Sequence, residues 1–454
     1  MLITRAELEG GTIADVRIAD GKIAAIGTLT PNAGETVIAA AGGLLLPGLH
    51  DHHIHVAALA AGFASVKAGP PEISTAEEFA ACLRVPGGGW LRATGYHESV
   101  AGMLDVAALD RLVPHRPLRV QHRSGRMWFL NSAALDRLLA RDTPPPGLER
   151  ESGRLFDSDA WLRHALAATP PSFAQVGANL ARAGVTGLTD MTPSNDAAIA
   201  RHFAAERASG ALPQNVLLAG TLALGTTDMA NSVRLGAAKL HLHEAALPSW
   251  DTAVAFIRDA HERGRPVAVH CVTEVELVFT LAAFAEAGAA PGDRIEHAGV
   301  APDTAVEDIA RLGLAVVSQP HFIAERGDTY LTDVEPAQHA LLYRLRAFRA
   351  AGVTLAAGSD APFGGTNPWA AMAAAVTRQT RAGARIGAAE ALNAEEALAL
   401  YLGAPDALAT RRHVTIGAPA DLCLLDRPWA RARAALDDVR VRATLIGGHV
   451  AWQA

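Results

Sequence analysis

The stretch Pro47-Gly48-Leu49-His50-Asp51-His52-His53-Ile54-His55 decides how the chain is read. In an extended strand, residues two apart project to the same face, so His53 and His55 can both address one metal ion. Imidazole nitrogen is a common ligand for Zn2+ and other first-row divalent cations. Taken alone, the stretch would also suit a histidine-rich surface turn, and its meaning comes from what surrounds it.

From Gly184 onward, apolar strand-like runs begin near Val185, Asn215, Ala237, Pro266, Arg294, Leu314 and Val353. Between them lie Ala/Arg/Glu-rich stretches of helical period, such as Ala253–Arg263 and Glu274–Ala287. Strands alternating with helices predict a parallel βα architecture. With the run ending at His50–His55 the strands number eight, as in a (β/α)8 barrel. Residues 1–48 and 411–454 read instead as short strands with tight turns, among them Asp20-Gly21 and Gly447-Gly448. The expectation is an α/β chain: a barrel over 49–410 and a small β-sandwich formed from both chain ends. Residues of about 57–172 break the rhythm, showing two isolated strand candidates, Trp90–Tyr96 and Leu118–Arg123. They read as an insertion over the catalytic face, because barrel sites are built from the loops after the strands.

Composition narrows the class. Among 454 residues, 40 basic and 47 acidic side chains leave a net charge of −7. With no basic stripe, nucleic acid and anionic membranes are not expected partners. Half of the residues are apolar and 19 % charged, too apolar for a disordered chain. The opening residues carry Arg5, Glu7 and Glu9 where a signal peptide needs an apolar core. Cys82, Cys271 and Cys423 are too few and too scattered for a disulfide framework. A soluble cytoplasmic protein acting on a small molecule is expected; the sequence leaves its assembly open, a homodimer being the commonest form among soluble oligomers.

Further donors fall at or just past the ends of the strand runs: Lys239, His270, His297 and Asp360. A histidine in an apolar strand is often a satisfied core residue, and Asp360 could cap the segment after it. Lys239 is harder to dismiss, since only Lys22, Lys67 and Lys239 are lysines and burying an unpaired ammonium is expensive. His-x-His on the first strand, Lys on the fourth, His on the fifth and sixth and Asp on the eighth would all face one mouth, as a shared metal site requires.

The motifs PGLHDHHIH, GWLRATGYHES, PLRVQHRSG with WFLNSAAL, GVTGLTDM, AAKLHLHE, VAVHC, RIEHAG, VVSQPHF and GSDAPF carry a resemblance over essentially the whole chain. It resembles the amidohydrolase superfamily of metal-dependent barrel hydrolases, in the family 3-like branch with a segment inserted after the first barrel strand. The resemblance implies that His53 and His55 bind the more buried metal and His270 and His297 the second. It implies that Lys239, carboxylated by CO2, bridges the two, and that Asp360 touches the metal and shuttles protons. Two such cations would lower the pKa of a bridging water to give hydroxide and polarise the scissile carbonyl. Zn2+ suits the set, and Mn2+, Fe2+ or Ni2+ would also be accepted. Where that branch often has a histidine after the Ser-Gly pair of the insertion, this chain has Arg126.

His97, His122, Arg123, Arg126 and His321 are candidates to orient substrate or stabilise an oxyanion. The alternative for the arginines is pairing with surface carboxylates. Asp51 and Glu296 are candidates to hold the far nitrogens of the ligand imidazoles, although strand neighbours point to opposite faces. His241 and His243 share a face with Lys239 by parity, whereas His50 and His52 read as structural and Cys271 as core packing. The reaction expected is hydrolysis of an amide-type C–N bond, in an amide, N-acyl, carbamate or lactam substrate. The alternatives are a mononuclear deaminase using Glu274 as proton carrier and a non-catalytic barrel scaffold.

Overall fold

Runs such as Val267–Cys271 (VAVHC) and Ala315–Ser318 (AVVS) are apolar at nearly every position, as strands covered on both faces must be. The computed structural model describes residues 1–454 except 71, 167–170, 226–228 and 231. Eight strands pair in parallel in chain order: β1 (Leu49–Ile54), β2 (Val185–Asp190), β3 (Asn215–Gly220), β4 (Val233–His241), β5 (Val267–Cys271), β6 (Arg294–His297), β7 (Ala315–Ser318) and β8 (Leu355–Ala357). The sheet is a nearly closed barrel. Its edge strands meet just past their ends, where the Asp360 amide donates to the His53 carbonyl at 2.6 Å and the His55 amide to the Ala361 carbonyl at 2.9 Å. Gly358 makes this approach possible, because a Cβ there would run into the His53 backbone.

Helices cover the barrel, and their starts are written locally. Asp196, Ser249 and Thr273 each accept a backbone N–H at the start of the helices Ala197–Ala208, Trp250–Glu262 and Glu274–Ala287. Thr273 and Glu276 form a reciprocal capping box. Ile257, Leu281, Phe284, Ile309 and Phe348 pack against the strand residues Val267, Val269, Ile295 and Val316 in one buried cluster. Burial of this kind supplies about 1.5–3 kcal/mol per large apolar side chain.

The chain ends make two four-stranded sheets. One contains Leu2–Glu7, Ile13–Ala19, Lys22–Gly27 and Val37–Ala39. In the other, Leu45–Pro47 joins Leu422–Leu425, Val441–Ile446 and His449–Gln453. Ile3, Val16 and Ile38 share a buried cluster with Leu422, Leu424 and Leu445. At the hairpin between Ile13–Ala19 and Lys22–Gly27, Asp20 and Gly21 have φ of 50° and 71°, as a turn with two left-handed residues demands.

Residues Ala57–Pro171 form a second compact unit, the remainder of the chain forming the first. Sequence reading found two strands in this unit, and its described residues form six: Val66–Lys67, Leu91–Tyr96, Leu118–His122, Met127–Leu130, Leu148–Glu149 and Arg154–Phe156. The four missed strands are two to four residues long, too short to show a period. Among the described residues, no helix is long and apolar enough to cross a membrane.

Candidate metal centre

Parity along β1 puts His53 and the following His55 on one side, and both reach the carboxylate that follows β8. Asp360 Oδ1 lies 3.4 Å from His53 Nε2 and 3.1 Å from His55 Nε2. The other nitrogen of each ring is engaged. His53 Nδ1 donates to Glu296 Oε2 at 2.5 Å, and His55 Nδ1 is 3.0 Å from Thr192 Oγ1. Asp360 and His297 have φ of 50° and 71°, the left-handed backbone that non-glycine residues adopt mainly where surrounding structure enforces it.

A second pair comes from β5 and β6, with His297 Nε2 3.0 Å from His270 Nδ1. His297 Nδ1 donates to Gln319 Oε1 at 2.7 Å, which leaves a lone pair on Nε2. Burial holds His53, His270 and His297 below the usual imidazole range, so the rings are neutral. Bonds of about 2.0–2.1 Å to a common tetrahedral cation would set two nitrogens about 3.3 Å apart, close to this spacing.

Lys239, at the end of β4, is 4 % exposed, and its Nζ has no hydrogen-bond partner among the described residues. Burial pulls its pKa down to about 8, against the opposing charges of Glu296 and Asp360. An isolated ammonium in such surroundings is costly, so the amine is suited to becoming something else. Neutral imidazoles, an aspartate and an orphan amine form a donor set that fits divalent cations.

The outer partners divide unequally. Glu296, fully buried, bonds His53 through one oxygen and pairs with Arg294 Nε at 2.6 Å through the other. Asp51 bonds no imidazole, and its Oδ1 accepts from the amides of His53 and Ser359 at 3.1 and 2.9 Å. Gln319 and Thr192 were missed by sequence reading, since neither lies beside its histidine in the chain. His50 Nε2 meets Thr189 Oγ1 at 2.9 Å, and His52 is fully buried. Cys271 Sγ reaches Thr280 Oγ1 at 3.3 Å, and burial pushes its thiol up to about 12.

The remaining candidates separate. His321 is buried and its Nε2 donates to the Ser359 carbonyl at 2.9 Å, so it braces the turn that carries Asp360. His241 and His243 bring their Nε2 atoms to 3.2 Å, and the His241 ring lies 4.3 Å from that of His270. Glu274 Oε2 accepts from Gln338 at 3.4 Å. His97, His122, Arg123 and Arg126 belong to the second unit. There Arg126 makes a two-pronged contact with Asp157 at 2.7 and 2.6 Å, the surface pairing that sequence reading held as the alternative to a substrate role. Arg123 is exposed. His97 and His122 both approach Glu98.

Comparison with known proteins bears on this geometry. An N-substituted formamide deformylase of Arthrobacter pascens is 26 % identical over 96 % of this chain and 94 % of its own length. A putative amidohydrolase of Bacillus subtilis (strain 168) is 25 % identical over 91 % and 89 %. An uncharacterized metal-dependent hydrolase from Pyrococcus horikoshii shares the fold with a TM-score of 0.77 at 19 % identity, over 94 % of this chain and 97 % of that one. The amidohydrolase family model matches residues 36–451. With that match spanning every barrel strand and every metal-ligand candidate, the chain belongs to the amidohydrolase family and is a metal-dependent hydrolase.

Proposed function

We propose that the chain hydrolyses an amide-type C–N bond at a centre of two divalent cations, Zn2+ being the expected metal. In this reading His53, His55 and Asp360 hold one cation, and His270 and His297 hold the other. Lys239 Nζ would add CO2 with loss of one proton, and the carbamate so formed would supply a further anionic ligand. The observation that carries the reading is the unpartnered Lys239 amine, buried in a site of neutral imidazoles. Bound cations of this kind polarise a carbonyl and make hydroxide available near neutral pH.

The protein's own groups do the rest. Glu296 and Gln319 keep protons on the Nδ1 atoms of His53 and His297, so that each Nε2 presents a lone pair. Asp360 takes the proton of the attacking water and returns it to the departing nitrogen. Glu274, the proton carrier of the deaminase alternative, accepts from Gln338 at 3.4 Å, and that alternative is decided by the metal count below.

The name of the Arthrobacter relative makes N-substituted formamides the first substrates to try, followed by N-acyl amino acids, carbamates and lactams. The test is elemental analysis of protein purified without chelator and with bicarbonate, followed by assay of formate and amine release. About two tightly held equivalents with amide turnover are expected. One equivalent with ammonia release from amino-heterocycles would replace the reading by the deaminase, and no metal after reconstitution would overturn it.

A further inference from the structure

Four imidazoles stand in a row from solvent to the barrel centre. Ring centroids lie 4.7 Å apart between His243 and His241, 4.3 Å between His241 and His270, and 4.6 Å between His270 and His297. Exposure falls along the row: His243 and His241 are exposed, His270 is half-buried and His297 is buried. Neighbouring strands build it, since His241 of β4 lies opposite His270 of β5 in the parallel register. His243, two residues beyond His241, is held by the segment that follows it. The Glu244 amide donates to Glu276 Oε1 at 2.9 Å, while Glu276 Oε2 accepts from the amides of Val272 and Thr273 at 2.7 and 3.1 Å. One buried carboxylate thus clamps the chain after β4 to the chain after β5.

The outer pair offers lone pairs where a cation would arrive. His241 Nε2 and His243 Nε2 are 3.2 Å apart. Bonds of about 2.0–2.1 Å to one tetrahedral cation would set two such nitrogens about 3.3 Å apart. Between neutral rings the contact takes one donor and one acceptor, so one lone pair is already present. Neither Nδ1 has a hydrogen-bond partner among the described residues. The donating ring can therefore carry its proton on Nδ1 and turn both Nε2 lone pairs to a cation. A hydrated cation enters a buried site only by losing water, and each imidazole that replaces a water lowers that cost.

We propose that His241 and His243 are the entry step of the metal centre. They take up a divalent cation at the mouth and hand it to His270 and His297, exchanging one ligand at a time. The proposal rests on the reading of the barrel centre as a metal site, and it assigns the pair to loading while the inner residues hold the resident ions. Imidazole donors favour first-row transition cations such as Zn2+ over Mg2+ and Ca2+, so selection begins at the mouth.

The test uses the full chain, stripped of metal and kept in bicarbonate, with Zn2+ alone as the probe. Uptake is followed by stopped flow with a zinc-responsive dye, and release by transfer to excess chelator. Wild type is compared with His243→Gln and His241→Gln/His243→Gln. The double variant is expected to take up Zn2+ about tenfold more slowly, the lower end of what gathering ions at a cleft adds to an on-rate. A path serves both directions, so release should slow by the same factor, with affinity and the number of bound ions as in wild type. His243→Gln should slow both steps by a smaller factor, and its exposed position keeps the comparison usable should the double variant fail to fold. Uptake at the wild-type rate would overturn the entry role. Faster release with weaker binding would overturn it too, by making the pair ligands of the resident ions. Both outcomes leave the metal centre standing, whereas a wild type that binds no Zn2+ would remove the centre and the path together.

Discussion

The two histidine clusters use the same side-chain types in opposite surroundings. At the barrel mouth, His53 and His297 are buried, and their Nδ1 atoms meet a carboxylate and an amide oxygen, which accept only. In the inserted unit, His97 and His122 are partly exposed, and their Nδ1 atoms accept from the backbone amides of Ser99 and Ser124, which donate only. The buried pair thus keeps its protons on Nδ1 and presents Nε2 lone pairs, whereas the exposed pair keeps its protons on Nε2, facing Glu98. The barrel cluster is built for one charge arrangement and should tolerate few changes.

The largest effect is expected at Lys239, where the barrel cluster depends on a group that has no counterpart in the inserted unit. Lys239→Ala is expected to lose most of the barrel metal and nearly all turnover. Added short carboxylates should partly restore both by standing in for the carbamate. Wild-type metal content in the variant would break the contrast. Asp360→Asn is expected to keep substantial metal and lose about 10²–10⁴-fold in kcat, the usual contribution of a positioned proton carrier. An unchanged pH–rate profile would remove Asp360 from that role.

The same substitution at both carboxylates sharpens the comparison. Glu296→Gln leaves Arg294 in a buried, broken ion pair, a class of change that costs about 3–5 kcal/mol. Loss of its bond to His53 should weaken metal binding or turnover by about 10–100-fold. In metal-free protein, Glu98→Gln at its exposed position should change stability by no more than about 0.5 kcal/mol. Thermal and denaturant unfolding of the two variants checks both values, and equal effects would dissolve the distinction.

A pH dependence gives a further check. In the metal-free, uncarboxylated chain, Lys239 has its folded pKa pulled from 10.5 to about 8 by burial. The unfolded chain therefore binds more protons between these values, and stability should rise with pH through that window. Lys239→Ala should lack this rise. A wild-type curve that falls across the window would show that the ammonium has a stabilising partner.

The ligand candidates were legible in the sequence because each lies at or just past the end of a barrel strand, and strand parity with the βα rhythm brings such positions to one mouth. Their supports were less legible. Glu296 adjoins His297 in the chain yet bonds His53, 243 residues away. Gln319 serves His297 from the end of the next strand. Arg126 stood in a motif suggesting substrate contact, and its partner Asp157 is 31 residues on. His321, a candidate to orient substrate, donates through Nε2 to the carbonyl of Ser359, 38 residues on.

The sequence by itself determined the alternation of strands and helices, the β-rich ends, the interruption after the first barrel strand and the identity of the metal-ligand candidates. Each follows from local period, turn chemistry or the order of residue types, which a linear chain displays. Only the tertiary structure decided which nitrogen of each imidazole is free, that the Lys239 amine is left without a partner, and that Glu98 meets both His97 and His122. Those properties belong to contacts between segments far apart in the chain, where small differences in distance and direction choose the hydrogen-bond partner, and no local pattern encodes them.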